Sequence, residues 1–106
     1  MSFEIITSDY FDTEAKALAK RYKSFKKDLI EFRKELEKTP LQGSEIAPNI
    51  RKIRMAIATK GRGKSGGARI ITYNALVTEQ EGKVYLLLIY DKADASSVKM
   101  NVVKQI

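Results

Sequence analysis

An uninterrupted apolar run, VYLLLIY, occupies residues 84–90 and limits the folds that this chain can adopt. A short run without polar alternation is typical of a strand that is buried on both faces inside a sheet. It is much shorter than the ~20 apolar residues that a membrane-spanning helix needs. The run therefore predicts a globular domain that contains a sheet, with other segments supplying the neighbouring strands and the covering layer.

Three further segments have the patterns of strands. In residues 50–58, Ile53 and Met55 alternate with Lys52 and Arg54, which predicts a half-buried strand with a basic outer face. Residues 68–77 are rich in β-branched and aromatic side chains. Short connections join these strands to the apolar run and favour an antiparallel meander. Residues 2–7 predict a first strand at the N-terminus.

Apolar residues at spacings of three and four predict two helices, at about 10–21 and 24–38. Pro40, Gly43 and Pro48 indicate a loop from 39 to 49. A last short helix is expected after Asp94, with an apolar face made by Val98, Val102 and Ile106. The predicted fold class is α+β: residues 1–106 form one domain in which an N-terminal strand and a helical hairpin pack on a small, mainly antiparallel sheet.

The chain has a formal net charge of +7, and the excess lies in one segment. Residues 1–49 contain nine Lys and Arg against nine Asp and Glu, and residues 75–106 contain four of each. Residues 50–74 contain seven cations and no acid. This distribution favours a polyanion-binding site over a solvated basic face. His and Cys are absent, which excludes zinc fingers, thiol nucleophiles and Ser-His-Asp triads.

Residues 60–67, KGRGKSGG, predict a glycine-rich loop between two strands. The segment from Ala58 to Ser65 matches the spacing of a nucleotide-binding P-loop except at its first residue. A P-loop continues into a helix whose N-terminus faces the phosphates, whereas this loop continues into a predicted strand. We therefore expect no nucleotide hydrolysis. The loop amides and lysines are expected to bind phosphate, and the alternative is a simple connection between strands.

If the polyanion is RNA, the chemistry to consider is cleavage of its backbone. It needs a group that removes the 2′-hydroxyl proton, groups that stabilise charge on phosphorus, and a proton for the leaving 5′-oxygen. Lys52 and Arg54 share one face of their strand, and Arg69 and Tyr73 share one face of the next. If these strands are adjacent, the four side chains converge, and Lys92 follows the last strand. Further RNA or phosphate contacts are expected from Arg51, Lys60, Arg62 and Lys64. Tyr73 or Tyr90 is expected to stack on a base. The alternative for each tyrosine, including Tyr85, is a position in the core.

The run from Arg51 to Tyr73 and the segment VYLLLIYDK at 84–92 together resemble the HigB/RelE branch of the RelE/ParE toxin superfamily. The K-x-R strand, the G-K-S-G-G-x-R segment and the apolar strand that ends in Y-D-K occur in the same order. The preceding helical hairpin fits as well, so that the resemblance covers nearly the whole chain. It implies a RelE-like βααβββ fold and a toxin of a type II toxin–antitoxin system.

The resemblance implies a ribosome-dependent endonuclease that cuts translated mRNA in the A site, without a metal or other cofactor, and so inhibits translation. By position, Lys52 and Arg54 match the catalytic strand, Arg69 the phosphate-binding arginine, and Lys92 the basic residue after the last strand. Some members carry a tyrosine where this chain has Val98, so that Tyr73 or another group is expected to take its role. Alanine at Arg69 is expected to abolish toxicity and leave the fold intact.

The resemblance also implies partners: a cognate antitoxin, HigA-like with a helix-turn-helix or RelB-like, besides the ribosome and mRNA. The N-terminal residues do not have the pattern of a signal peptide, so the expected location is the cytoplasm, with no membrane partner. Two alternatives stay open. One is a ParE-like inhibitor of DNA gyrase, and the other is a basic module that binds RNA or an antitoxin without catalysis.

Overall fold

The computed structural model describes residues 2–78 and 81–94, which form two helices and a five-stranded mixed sheet. The helices are α1 (Asp9–Arg21) and α2 (Phe25–Lys38). The strands are β1 (Ser2–Thr7), β2 (Ser44–Ala47), β3 (Ile50–Met55), β4 (Ala68–Thr78) and β5 (Glu81–Asp91). The predicted α+β class and the two predicted helices are confirmed.

The strands are ordered β1-β5-β4-β3-β2 across the sheet. Neighbours from β2 to β5 are antiparallel, as the predicted meander requires, whereas β1 pairs with β5 in parallel. A parallel pair needs a long connection, and both helices lie in the chain between β1 and β5. Because β5 is flanked by β1 and β4, the apolar run lies inside the sheet.

Both helices pack on one face of the sheet and bury their apolar stripes there. Spacings of three and four residues place these side chains on one side of each helix. At the start of α1 the Ser8 hydroxyl accepts a hydrogen bond from the Phe11 amide at 3.0 Å, which caps the helix. The core combines both helices with four strands, through Phe3, Phe11, Leu18, Phe25, Phe32, Leu36, Ile53, Met55, Ile57, Ala68, Ile70, Val84, Leu86 and Ile89.

The opposite face of the sheet, called the outer face below, is only partly buried. Ile71 and Leu88 form a small cluster there. Leu88 is buried, whereas Tyr85 and Tyr90 of β5 are half-buried, so the prediction that residues 84–90 are buried on both faces is confirmed on the outer face only in part. The reason is that both helices pack on the other side, and neighbouring side chains alone cannot cover a sheet face.

β2 lies in the segment 39–49, where the sequence predicts a loop, and this prediction is wrong at residues 44–47. The strand carries no apolar alternation, and it forms because its backbone pairs with β3, with Glu45 opposite Arg51. Gly43 precedes it with a φ of 81°, and a Cβ there would lie 2.3 Å from the Lys52 carbonyl oxygen. Only glycine fits such a position, so Gly43 lets β2 approach β3.

Some of the predicted features lie outside the described residues. These are the short C-terminal helix with Val98, Val102 and Ile106, and residues 79 and 80 of the short connection expected before the apolar run. Within residues 2–78 and 81–94, no helix is long and apolar enough to cross a lipid bilayer.

Candidate nucleic-acid interface

Alternation along β3 decides which basic residues reach the outer face. The odd-numbered positions 53 and 55 are buried under the helices, so Lys52 and Arg54 lie on the outer face. Arg54 is directly opposite Arg69 on β4, and Tyr73 lies four positions further along the same strand. Opposed residues of antiparallel strands share a face. The structure therefore brings Lys52, Arg54, Arg69 and Tyr73 onto one face, as the sequence predicts for adjacent strands.

The two opposed arginines have different environments. Arg54 is exposed. Arg69 is only 6% exposed, and its guanidinium donates hydrogen bonds to the carbonyls of Ser65 at 2.9 Å, Lys64 at 3.1 Å and Ala68 at 3.2 Å. Arg69 therefore clamps the glycine-rich loop onto β4, and Arg54 is the guanidinium that remains accessible to a phosphate.

Replacing Arg69 by alanine removes three hydrogen bonds from its guanidinium to buried and partly buried carbonyls. We therefore expect the free energy of unfolding to fall by about 1–3 kcal/mol, which differs from the sequence-based expectation of an intact fold. Urea denaturation measures the change. Arg62→Ala, at an exposed position of the same loop, is the control and is expected within about 0.5 kcal/mol of wild type. An Arg69→Ala variant as stable as wild type would contradict the clamp.

The glycine-rich loop forms one end of the outer face. It turns at two glycines with φ of 68° and 60° and presents Arg62 and Lys64 as exposed side chains. The Lys92 amide donates a hydrogen bond to the Gly67 carbonyl at 3.0 Å, just beyond the end of β5. Arg62, Lys64 and the backbone of Lys92 therefore lie at the same end of the sheet as Arg54.

Two of the predicted RNA-binding residues lie away from the outer face. Arg51 has the opposite parity to Lys52 on β3, and it donates a hydrogen bond to the Gly43 carbonyl at 3.2 Å. Lys60 has a side chain that is 9% exposed, and its ammonium pairs with the Asp91 carboxylate at 2.5 Å. Both residues were predicted to bind RNA because they lie in the basic segment at residues 50–74. Alternation along β3 places Arg51 on the opposite face from Lys52 and Arg54. The ion pair with Asp91, far along the chain, holds the Lys60 side chain away from the outer face.

Asp91 is the centre of a buried ionic network that joins the loop to α1. Besides the Lys60 ammonium, its carboxylate accepts hydrogen bonds from the Tyr22 hydroxyl and the Arg21 guanidinium. Burial raises the pKa of this carboxyl, but these hydrogen bonds and one from the Ala93 amide outweigh burial and hold the pKa well below its usual range. The charged carboxylate therefore fixes the start of the glycine-rich loop against the helical layer.

Tyrosines lie at both ends of the outer face. Tyr73 is 39% exposed, and its ring centroid lies 6.1 Å from that of Tyr85, its partner on β5. Tyr90 is opposite Arg69, and among the described residues its hydroxyl has no hydrogen-bond partner. Burial raises the pKa of Tyr90, and the charge of Arg69 opposes this rise. The sequence does not distinguish Tyr85 from its core neighbours Val84 and Leu86, because all three lie in one apolar run. Its place on the outer face follows from its pairing with Tyr73.

Under an RNA-binding role for the outer face, replacing Tyr73 by leucine is expected to weaken binding of single-stranded RNA by about 1–3 kcal/mol, the usual contribution of one base stacked on an aromatic ring. Tyr73→Phe keeps the ring and is expected to bind as wild type does. Fluorescence anisotropy of a labelled RNA measures both affinities. Tyr10→Leu, at a 48% exposed position on α1, is the control for losing a surface tyrosine. Equal losses for Tyr73→Phe and Tyr73→Leu would argue against stacking.

A groove of about 130 Å³ lies between α2 and the end of β3 next to the glycine-rich loop. It brings two of the predicted residues, Arg54 and Lys64, together with carboxylates of α2. The spacing of Glu31 and Glu35 indicates a shared helix face, but nothing local shows that this face meets the loop. In the described part of the chain, no group of three or more acidic residues is arranged to hold a metal ion. The groove is lined by Asp28, Glu31, Phe32, Glu35, Gln42, Arg54, Met55, Ala56 and Lys64.

No model of a known protein family matches the chain. The interface is therefore characterised by its geometry. Cations lie at the loop end of the outer face, and the Tyr73–Tyr85 pair lies roughly 13 Å away along β4, at about 3.3 Å per residue. Guanidinium and ammonium groups bind phosphates, and aromatic rings stack on bases. The outer face thus has the groups and the spacing to bind a single-stranded nucleic acid over more than one nucleotide.

Proposed function

We propose that the chain has a RelE-like fold and is a toxin of a type II toxin–antitoxin system, acting as a ribosome-dependent, metal-independent mRNA endonuclease in the cytoplasm. One observation carries the proposal: Lys52, Arg54, Arg69 and Tyr73 share the outer face of the sheet beside a basic glycine-rich loop. The resemblance of residues 51–73 and 84–92 to the HigB/RelE branch supports the same assignment.

In the proposed reaction the 2′-oxygen of the RNA attacks the adjacent phosphorus, and the bond from phosphorus to the 5′-oxygen breaks. The 2′-hydroxyl proton passes to a basic group, and the leaving 5′-oxygen takes up a proton. Arg54 stabilises the added negative charge on the phosphorane by two parallel hydrogen bonds. Lys52 and Lys92 are the candidates for proton transfer, and Arg69 acts by holding the loop. The product ends are a 2′,3′-cyclic phosphate and a 5′-hydroxyl.

The proposed partner is an acidic, amphipathic segment of a cognate antitoxin. A second groove, of about 570 Å³, lies between α1 and α2 and has an apolar floor that includes Phe11, Phe25 and Leu29. Its charged lining residues are three cations and one acid, namely Lys16, Lys26, Arg33 and Asp12. An apolar groove with cations at its edge fits the apolar face of a helix with acidic flanks.

The experiment that tests the endonuclease is induction of the wild-type chain in a bacterial host, with mRNA 5′ ends mapped by primer extension. A translated message is compared with the same message without its start codon. Cuts in the translated message only, lost with Arg54→Ala, are the expected result. Growth arrest with intact mRNA would instead favour gyrase as the target and would overturn the proposal.

A second candidate is a basic module that binds RNA without cutting it. One observation favours it: Arg69, which the resemblance assigns to phosphate binding, has its guanidinium bound to three backbone carbonyls. This candidate predicts salt-dependent RNA binding without cleavage products on the ribosome. The same primer-extension experiment separates the two candidates.

A further inference from the structure

The groove between α2 and β3 has a floor and two walls of different chemistry. Phe32 and Met55, which are 7% and 3% exposed, supply an apolar floor. Glu31 and Glu35 of α2 lie on one side, and Arg54 and Lys64 lie on the side of β3 and the loop. Since β2 pairs with β3 only as far as Lys52, the edge of β3 is open here. The groove therefore opens beside the cations of the outer face.

The carboxylates of the groove differ in how the fold uses them. Asp28 accepts hydrogen bonds from the Ser24 hydroxyl at 2.7 Å and the Ala58 amide at 3.0 Å, so it has a structural role. Glu31 lies 3.9 Å from the Lys34 ammonium in an exposed pair. Among the described residues, no ion pair holds Glu35, and none joins the acidic wall to the cationic wall. Glu35 is therefore the carboxylate best placed to accept hydrogen bonds from a ligand.

The size and polarity of the groove fit one flat heterocycle. A closed cavity of about 150 Å³ accommodates a benzene ring, and this groove of about 130 Å³ is smaller but open, so it receives part of a single base while the rest of that nucleotide stays outside. A carboxylate with two oxygens is satisfied by two adjacent donors. Guanine presents N1–H and N2–H₂ side by side, and its opposite edge presents the acceptors O6 and N7, which suit Lys and Arg. Adenine, cytosine and uracil each place an acceptor next to a single donor.

We infer that the groove is a base-recognition site that selects a guanine in single-stranded RNA. Glu35 accepts hydrogen bonds from N1–H and N2–H₂, Lys64 donates to the opposite edge of the base, and Arg54 reaches from the rim of the groove to the adjoining phosphate. The inference rests on the proposed function in that it takes RNA as the ligand. The groove adds a preference for one RNA base. The outer face does not supply such a preference, because its contacts are to phosphates and to the faces of bases.

The test is the binding of the full chain to a short, 2′-O-methylated oligouridine that carries one guanine, measured by fluorescence anisotropy. The same RNA with adenine or inosine at that position gives the comparison. We expect guanine to bind about tenfold to a hundredfold more tightly than adenine. Inosine lacks the N2 amino group and is expected to fall between the two. Equal affinities for all three RNAs would overturn the inference.

Glu35→Gln separates recognition from general electrostatics. An amide presents one acceptor and one donor in place of two acceptors, so this variant is expected to lose the guanine preference and keep its affinity for the adenine RNA. Glu37→Gln makes the same charge change on the same helix, outside the groove lining, and is expected to keep the preference. Thermal melting confirms that both exposed substitutions leave the fold unchanged. A Glu35→Gln variant that still prefers guanine would overturn the assignment of Glu35.

The binding test does not depend on cleavage, so the two proposals fail separately. If the wild-type chain cuts translated mRNA and binds all bases equally, the groove inference is wrong and the endonuclease stands. If it binds guanine selectively through Glu35 and leaves mRNA intact during induction, the endonuclease is wrong and the groove inference stands.

Discussion

Replacing Arg54 by alanine is expected to lower mRNA cleavage by about a hundredfold or more, because removal of one donor to a developing negative charge typically has this effect. Arg54 is the exposed guanidinium of the outer face, whereas Arg69 is bound to the loop. Arg54 and Arg69 are directly opposed like charges, and such pairs are destabilising. The variant is therefore expected to be as stable as wild type or slightly more stable.

This combination of effects distinguishes Arg54 from the other arginines. Primer extension on a translated message measures cleavage, and thermal denaturation measures stability. Lys38→Ala, which removes an exposed cation from α2 outside both grooves, is the control and is expected to cleave as wild type does. Full cleavage by Arg54→Ala would exclude Arg54 from the site. A large drop in stability would show that its role is structural.

Replacing Asp91 by asparagine is expected to lower the free energy of unfolding by about 3–5 kcal/mol, the usual effect of removing one partner of a buried ion pair. The Asp91 side chain is fully buried, and the Lys60 side chain is 9% exposed. Asparagine leaves the Lys60 ammonium buried without its counter-ion. Because Lys60 ends the 3-10 turn (Ala58–Lys60) that precedes the glycine-rich loop, the loop should lose its order together with the network.

The same ion pair gives the protein an acid-sensitive stability. The pKa of Asp91 is lowered in the folded state, so the unfolded chain takes up a proton before the folded chain does. The stabilisation is fully present above the unfolded pKa of about 3.9 and is lost as the pH falls below that value. Urea denaturation between neutral and acidic pH should therefore show a steep loss for wild type, and a shallower one for Asp91→Asn.

Asp94→Asn is the matched control for Asp91→Asn. Asp94 also pairs with Arg21 at 3.0 Å, but its side chain is 57% exposed, and exposed pairs contribute about 0–1 kcal/mol. The double variant Lys60→Met with Asp91→Asn removes both charges and should recover part of the lost stability. Equal effects of Asp91→Asn and Asp94→Asn would contradict the network as described.

Periodicity along the chain was sufficient to predict the secondary structure that packs against the core. Repeats of three and four residues located α1 and α2, and alternation located β3 and the parity of Lys52 and Arg54. The same alternation places Arg51 on the opposite face from these two residues. Arg51 was nevertheless predicted to bind RNA with them, because the whole segment is basic. β2 was not predictable, because an exposed edge strand owes its existence to backbone pairing with β3 and not to its side chains.

Local repeats along the chain were enough to predict the helices and the strands of the meander, and the composition was enough to locate the excess positive charge at residues 50–74. How each cation is used depends on the tertiary structure. Lys60 is bound to Asp91, Arg69 is bound to loop carbonyls, and Arg54 is left accessible beside Glu35. These outcomes depend on contacts between residues far apart in the chain, and the distances that set them arise only when the helices pack on the sheet.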